Sequence, residues 1–292
     1  MYSITGITGQ VGGAVASNLL SKNQSVRAVV RDANKGTAWA EQGCAVALAE
    51  MNDADALTVA FTDAEGVFVL IPANYAPSPG FPETRAIIAA LRTALAAAQP
   101  GKVVCLSTIG AQATQPTVLT QLQIMEQELG DLPMPIAFLR AAWFMENTAW
   151  DVAPAKEKGI IPSFLQPLDK PVPMISIADV GRIASELLQQ TWSGRRIVEI
   201  EGLHRVTPND IAQSFSKLLG RSVQAEALPR ATWEALFKAQ GTADPQPRIQ
   251  MLDGFNEGWV EFESGEFGSI KGEIELETVL KGLVERSNLK EI

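Results

Sequence analysis

The sequence predicts an α/β fold with a doubly wound parallel sheet and a smaller α/β lobe at the C-terminal end. Short runs of β-branched and apolar residues alternate with segments whose apolar residues recur at helical spacing. The run Val67–Ile71 is apolar throughout, as expected for a strand buried on both faces. This alternation is typical of β-α-β units, in which right-handed crossovers join parallel strands.

In the first half of the chain, predicted strands and helices follow one another in turn. The strands are Tyr2–Thr5, Val26–Val30, Ala45–Ala49, Val67–Ile71, Lys102–Leu106 and Ile136–Leu139. The helices are Val11–Leu20, Asp53–Phe61, Thr84–Ala98 and Thr117–Leu129. Asp53 is an N-cap residue for the second of these helices. Pro100 and Gly101 end the third helix, and Gly130 ends the fourth.

The second half of the chain has a different pattern. Residues 141–158 have helical spacing and several aromatic side chains, and prolines at 162, 167, 171 and 173 indicate irregular structure. The remaining predicted elements are the helix Ile177–Gln190, the strand Arg196–Ile200, and a helix that Thr207 caps and Gly220 ends. After residue 221 we expect short helices and loops.

The length of 292 residues fits two domains of about 150 residues, or one large domain. The chain contains no low-complexity linker, so we expect two interwoven parts rather than two separate ones. We assign residues 1–144 and 174–201 to the sheet domain. Residues 145–173 and 202–292 are assigned to the smaller C-terminal lobe.

The composition disfavours several classes of protein. Lys and Arg number 24 against 33 Asp and Glu, and the formal net charge of −9 disfavours nucleic acid as the main partner. The two cysteines form no disulfide framework and indicate a reducing compartment. The N-terminus has no charged leader, and the apolar runs are too short to cross a membrane. We therefore expect a cytoplasmic protein without a membrane partner. The oligomeric state is not indicated.

A glycine-rich loop follows the first predicted strand. The segment Thr5–Gly12 has glycines at positions 6, 9 and 12, a G-x-x-G-x-x-G spacing, and it opens the first helix. Glycines in this place permit a tight turn and the close approach of a pyrophosphate to a helix N-terminus, which indicates a dinucleotide site. The alternative is a turn whose small residues only pack the helix against the sheet.

The end of the second predicted strand indicates which dinucleotide is bound. A carboxylate there would accept a hydrogen bond from the ribose 2′-hydroxyl of NAD. Arg31 stands at this end and Lys35 follows shortly after, and a guanidinium suits the 2′-phosphate of NADP. The adjacent Asp32 complicates this interpretation. The alternative is a solvated cluster of charges.

The ends of three later strands are candidate contacts for the nicotinamide and the substrate, because ligands of such sheets lie beyond the carboxyl ends of the strands. Pro72 and Ala73 follow the fourth strand, with Tyr75 nearby in the same loop. Ser107 and Thr108 follow the fifth strand. The aromatic residues Trp143 and Phe144 follow the sixth strand and predict an apolar surface for a flat substrate. The alternative for each aromatic side chain is a place in the core.

Taken together, the sequence resembles the NmrA-like branch of the atypical short-chain dehydrogenases/reductases. The similar segments are residues 5–12, 26–32, 106–112, 138–147, 175–182 and 206–212. The resemblance implies an NAD(P)-binding Rossmann domain, a smaller C-terminal lobe and a cleft between them. It implies that Gly6, Gly9 and Gly12 hold the pyrophosphate and that Arg31 holds the 2′-phosphate. The further residues that it places in the glycine loop are Thr8, Gln10 and Val11.

The chain departs from the usual pattern at the expected proton donor. Conventional short-chain dehydrogenases use a Tyr-x-x-x-Lys pair, but the only tyrosines are Tyr2 and Tyr75, and neither has a lysine four residues later. The predicted helix Thr117–Leu129 carries glutamines and glutamates but no Lys or His. The single histidine, His204, is interpreted as structural, and the absence of a Cys/His cluster argues against a metal site. We therefore assign no catalytic residue.

The resemblance leaves two functions open. One is an NADPH-dependent oxidoreductase that passes hydride to a flat conjugated acceptor such as a quinone, with an azo dye not distinguished from it. Such an acceptor needs positioning more than a dedicated acid, because water can protonate the delocalised product. The alternative is a redox sensor that binds NAD(P) without turnover.

Overall fold

Strands and helices alternate through the first half of the chain in the computed structural model, which describes residues 1–290. The strands are β1 Tyr2–Ile4, β2 Val26–Val30, β3 Ala45–Leu48, β4 Gly66–Val69, β5 Val103–Thr108, β6 Ile136–Ala141, β7 Trp143–Phe144, β8 Ile160–Ser163, β9 Met174–Ile175, β10 Arg195–Glu201, β11 Gln224–Ala227 and β12 Ile270–Lys271. The helices are α1 Gln10–Ser21, α2 Ala33–Glu41, α3 Ala54–Phe61, α4 Pro82–Ala98, α5 Thr120–Leu129, α6 Val152–Lys158, α7 Ile177–Gln189, α8 Pro208–Leu219, α9 Trp233–Ala239, α10 Gln246–Glu257 and α11 Leu276–Lys290. Segments Met145–Asp151 and Arg230–Thr232 are 3-10 helices.

The main sheet confirms the predicted doubly wound fold. Its strand order is β12-β10-β6-β5-β4-β1-β2-β3. Strand β1 pairs in parallel with both β2 and β4, and β2–β3 and β4–β5 are also parallel. The chain therefore runs outward from β1 to β3 and then crosses to β4 on the other side of β1. The strand order reverses between β1 and β4, which is where ligands bind in sheets of this kind.

The buried strand at this reversal point is β4. Its residues Val67, Phe68 and Val69 have no exposed surface. Val67 and Val69 share a core cluster with Leu57 of α3 and Leu91 of α4, while Phe68 between them points to the opposite face. These residues confirm the expected burial on both faces. Each such side chain contributes about 1.5–3 kcal/mol through burial.

Backbone contacts divide the chain into two compact units. Unit 1 comprises residues 1–111, 119–140 and 178–198, and it contains the strands of the main sheet from β1 to β5. Unit 2 comprises residues 112–118, 141–177 and the chain from residue 199 onward, and it contains β7, β8, β9, β11 and β12. No helix within residues 1–290 is both long and apolar enough to cross a bilayer.

The helix predicted over residues 141–158 is wrong in its first half. Trp143 and Phe144 form β7, which pairs in parallel with Met174 and Ile175 of β9. The N–H of Trp143 donates to the oxygen of Pro173 at 3.2 Å. These partners take up the backbone groups that an α-helix would pair internally, so α-helix begins only with α6.

Two further differences concern helices. The sequence-based assignment left out α2, although Asp32 is its N-cap and accepts from the N–H of Asn34. The C-terminal segment ends in α11, which has 15 residues and is longer than the short helices expected there. The caps at Asp53 and Thr207 are confirmed, and Thr207 forms a reciprocal capping box with Asp210.

Candidate functional site

The predicted cofactor residues lie along one edge of the main sheet, all of them in unit 1. Strands β5, β4, β1 and β2 are parallel neighbours, so their carboxyl ends meet at the same edge. Ser107 and Thr108 end β5, and Pro72 and Ala73 follow β4. The glycine loop follows β1, and Arg31 follows β2. The fold thus brings together residues from four separate parts of the sequence in the order in which a dinucleotide would meet them.

The three glycines of the loop occupy different structural settings. Gly6 has φ +62°, a left-handed conformation that a side chain would strain, and its oxygen accepts from the N–H of Gly9 at 2.9 Å. A Cβ on Gly12 would lie 2.4 Å from that same oxygen, so α1 approaches the turn closely only with glycine there. Gly9 is exposed, and a Cβ on it would meet only the Gly6 oxygen, at 3.3 Å. Space therefore remains open outside Gly9.

The N-terminus of α1 is not capped by a side chain. Gly9 occupies the N-cap position, and the first turn carries no acidic residue. The backbone N–H groups at this end, with the positive end of the helix dipole, suit an anion. Thr8 and Gln10 are exposed beside them, whereas the Val11 side chain is buried in the core, which leaves its backbone as the part near the loop.

The Thr5 hydroxyl fixes the glycine loop relative to the end of β4. It donates to the oxygen of Phe68 at 3.1 Å and accepts from the N–H of Leu70 at 2.9 Å. Thr5 has no exposed surface. The loops after β1 and β4, which flank the reversal point, are therefore held by one buried side chain.

Of the three charged side chains that follow β2, the carboxylate has a hydrogen-bond partner among residues 1–290 and the two cations do not. The Asp32 carboxylate accepts from the N–H of Asn34 at 2.9 Å and so serves α2. Arg31 is exposed, and its guanidinium makes no hydrogen bond or ion pair with any residue from 1 to 290. The Lys35 ammonium in the first turn of α2 is likewise exposed and unpaired among these residues. Two cations are thus available at the end of β2.

A buried carboxylate on α5 holds the Ser107 side chain. The Ser107 hydroxyl donates to Oε1 of Glu126 at 2.6 Å. Arg140 on β6 donates to the same carboxylate through Nε at 2.9 Å and Nη2 at 2.7 Å, and Arg195 on β10 lies 3.7 Å away. Ser107, Glu126 and Arg140 are each at most 4% exposed. The Ser107 proton is therefore engaged in structure. Sequence reasoning missed this ion pair, whose only signal was an arginine inside an apolar strand.

The same cluster keeps the nearby thiol neutral. Cys105 on β5 is completely buried, and burial raises the pKa of its thiol well above the usual range, with the charge of Glu126 adding to the effect. Cys105 therefore has the character of a core residue. Among residues 1–290, no group of three or more His, Cys, Asp or Glu side chains is arranged to hold a metal ion.

The three aromatic candidates have different environments. Tyr75 is 57% exposed in the loop between β4 and α4 in unit 1. Trp143 and Phe144 are half-buried neighbours on β7 in unit 2. Successive side chains on a strand point to opposite faces, so at most one of these two rings faces a given ligand. The Trp143 ring also makes an edge-to-face contact with Phe255 of α10, with centroids 5.2 Å apart.

The sequence is similar to that of known proteins. The sequence model of the NmrA-like family matches residues 3–253. Quinone oxidoreductase 2 of Escherichia coli K12 is 26% identical over 247 residues, which cover 84% of this chain and 83% of the relative. The NAD(P)H azoreductase of Xenophilus azovorans is 25% identical over 230 residues, which cover 78% and 77% of the two chains.

Solved structures share the fold. The NADPH complex of the NADPH-dependent quinone oxidoreductase from Escherichia coli has a TM-score of 0.77 at 22% identity, over 100% of both chains. Triphenylmethane reductase of Citrobacter sp. has a TM-score of 0.77 at 19% identity, over 97% of this chain and 99% of that chain.

Replacing Gly9 by valine is expected to abolish dinucleotide binding while the protein remains folded. The new side chain points into the open space outside the loop, and the extended backbone at Gly9 accepts a side chain, whose Cβ makes one tight contact of 3.3 Å with the Gly6 oxygen. Calorimetric titration with NADPH measures the loss. Ser17→Val on the exposed face of α1 is the control and should bind normally. A folded Gly9→Val protein with unchanged affinity would place the dinucleotide elsewhere.

Replacing Glu126 by glutamine is expected to lower the free energy of unfolding by about 3–5 kcal/mol, because the buried Arg140 charge loses its counter-ion. Urea unfolding monitored by circular dichroism measures the change. Asp131→Asn, which breaks the exposed ion pair with Arg92, is the control and should have a much smaller effect. Equal midpoints for the two variants would contradict a structural role for Glu126.

Proposed function

The chain belongs to the NmrA-like family, and we propose that it is an NADPH-dependent oxidoreductase that passes hydride to a flat conjugated acceptor such as a quinone. One observation carries this proposal. The open glycine turn, the uncapped N-terminus of α1 and the unpaired Arg31 follow two adjacent strands at the reversal point of the sheet. The quinone oxidoreductase and azoreductase among its relatives support an NAD(P)H-dependent reduction.

The residues around β1 and β2 fit the phosphates of NADPH. Gly6, Gly9 and Gly12 shape the turn that holds the pyrophosphate against α1. Thr8, Gln10 and the Val11 backbone complete this loop. The Asp32 carboxylate caps α2 through Oδ1, and the assignment of NADPH rests on two neighbouring cations that have no partner among residues 1–290. Arg31 forks onto the 2′-phosphate, and Lys35 adds a second cation.

The residues at the ends of β4 and β5 form the nicotinamide side of the site in this proposal. Pro72 and Ala73 are exposed beside the reversal point, and their small side chains allow the cofactor to come close to the backbone. Ser107 contributes through its backbone, since its hydroxyl donates to Glu126. The Thr108 hydroxyl lies 3.1 Å from the oxygen of Ile109, to which it donates. None of these side chains is poised to give a proton to a substrate.

Bound NADPH supplies the hydride, and the protein's task is to bind and align the acceptor. A quinone-like acceptor spreads the incoming negative charge over its conjugated system, so water protonates its oxygen without a dedicated acid. This agrees with the lack of a Tyr-x-x-x-Lys pair in the sequence. The proposed contacts for the flat ring system are Tyr75 and one of the two β7 aromatics, Trp143 or Phe144, because these two side chains point to opposite faces of the strand.

A cofactor-binding sensor without turnover is the second candidate. The observation that favours it is the buried Ser107 hydroxyl, which is committed to Glu126 rather than to a substrate. Steady-state oxidation of NADPH with a panel of quinones and azo dyes, alongside calorimetric binding of NADPH, separates the two functions. Turnover supports the oxidoreductase, and tight binding without turnover on every acceptor supports the sensor.

Replacing Arg31 by alanine is expected to weaken NADPH binding and to leave NADH binding unchanged. One lost charge-assisted contact with the 2′-phosphate costs about 1.5–3 kcal/mol. Calorimetric dissociation constants for both cofactors measure the effect, and Lys22→Ala, an exposed cation after α1, is the control. Equal affinities for NADH and NADPH in the unmodified protein would refute the assignment.

Replacing Tyr75 by phenylalanine is expected to change kcat by less than about tenfold, since loss of a general acid typically costs about 100- to 10,000-fold. Trp143→Ala is expected to raise KM for the acceptor, because a flat substrate loses a ring contact worth about 0.5–1.5 kcal/mol. Steady-state kinetics with one soluble quinone measure both. A collapse of kcat in Tyr75→Phe together with an unchanged KM in Trp143→Ala would mean that the chemistry depends on the loop between β4 and α4, which carries Tyr75.

A further inference from the structure

The side chain of Gln121 on α5 bridges two other parts of unit 1. Its Nε2 donates to the backbone oxygen of Asn74 at 2.8 Å, and its Oε1 accepts from the Thr84 hydroxyl at 2.6 Å. Gln121 is 6% exposed and Thr84 2%. The amide therefore joins α5 to the first turn of α4 and to the loop between β4 and α4.

The chemistry of the partners determines how this amide is oriented. A backbone carbonyl can only accept a hydrogen bond, so the group that faces Asn74 must be the NH₂ end of Gln121. The amide oxygen then faces Thr84, whose hydroxyl donates to it. A side chain without a donor at this position would leave the part-buried backbone oxygen of Asn74 without this hydrogen bond.

Asn74 is held a second time by its own side chain. Its Oδ1 accepts from the N–H of Ala76 at 3.1 Å, which forms an Asx turn around Tyr75. The Tyr75 ring is 57% exposed, and it belongs to a turn whose backbone is hydrogen-bonded at Asn74 to the buried Gln121.

The far end of the same loop is also fixed. Phe81 has a left-handed backbone with φ 58°, and its N–H donates to the oxygen of Ser78 at 2.9 Å. Arg85 Nε donates to the oxygen of Gly80 at 3.0 Å. With this end anchored, the contact with Gln121 holds the start of the loop, at Asn74, against α5.

We propose that Gln121 is a positioning residue, which holds the Asn74–Tyr75 turn so that the Tyr75 ring is already in place for the acceptor. The inference rests on the proposed function, in which Tyr75 contacts a flat acceptor. A ring that is placed in advance loses less conformational entropy on binding. Gln121 acts through the backbone of Asn74 and does not touch the acceptor itself.

The kinetic test compares Gln121→Met with Gln121→Glu. Methionine has a similar length but neither donates to Asn74 nor accepts from Thr84, so KM for a soluble quinone should rise about tenfold, which corresponds to about 1.4 kcal/mol, while kcat and NADPH affinity change less than about twofold. Glutamate donates to Asn74 and accepts from Thr84 only while its carboxyl is protonated, so the ratio of its KM to that of the unmodified protein should fall as the pH is lowered, whereas the ratio for Gln121→Met should stay constant. Gln127→Met, on the exposed face of α5, is the matched control.

A second measurement does not need turnover. Limited digestion of the folded, cofactor-free proteins with chymotrypsin cuts after Tyr75, and mass spectrometry measures the initial rate. Loss of the bridge frees the turn, so Gln121→Met should be cut about tenfold faster at this bond than the unmodified protein or Gln127→Met.

The outcomes separate this inference from the proposed function. If none of the acceptors tested supports NADPH oxidation by the unmodified protein, the oxidoreductase proposal fails. The digestion experiment still decides whether Gln121 holds the turn. Unchanged digestion of Gln121→Met overturns the positioning role. So does an unchanged KM beside faster digestion, or a Gln121→Glu protein whose KM, relative to the unmodified protein, does not fall as the pH is lowered.

Discussion

The carboxylate of Glu126 is the interaction on which the carboxyl edge of the sheet depends. It accepts hydrogen bonds from Ser107 on β5 and Arg140 on β6, and it pairs more weakly with Arg195 on β10. A buried charge is costly unless each of its bonds is made, and here the bidentate arginine and the hydroxyl satisfy it. The strand ends are thereby joined to α5. The cost is chemical, because the Ser107 hydroxyl is no longer available to a substrate.

The acidic chain binds an anionic cofactor, in our proposal, through local rather than net charge. The formal net charge is −9, yet the end of β2 presents two unpaired cations and α1 presents an N-terminus without acidic residues. Fields near the surface are determined by the closest charges, since more distant ones are screened by salt within about 10 Å. Asp32 lies beside Arg31 in sequence, but its carboxylate is turned to the N–H of Asn34. This arrangement supports a phosphate at the end of β2.

In our proposal, the acceptor side of the site is organised by position rather than by acid–base chemistry. Thr5 fixes the start of the loop after β4, and Gln121 bridges its middle to α5. Both side chains are buried, and each makes at least one hydrogen bond with a backbone group of this loop or of the strand before it. A rigid loop that carries an exposed tyrosine suits a flat acceptor whose reduction needs alignment with a hydride donor. An enzyme that protonates a ketone would instead need a side chain with a free proton at this edge.

The sequence by itself determined the features that depend on residues close together in the chain. The glycine turn, the caps at Asp53 and Thr207, and the apolar run of β4 follow from backbone geometry and periodicity within a few residues. Only the tertiary structure decided the features whose partners are distant. The Glu126–Arg140 pair, the bridge from Gln121 to Asn74, and β7 in place of a helix each depend on a group that folding brings close. The physical reason is that a buried hydrogen-bonding group takes whatever partner packing supplies, and local propensity carries no information about that partner.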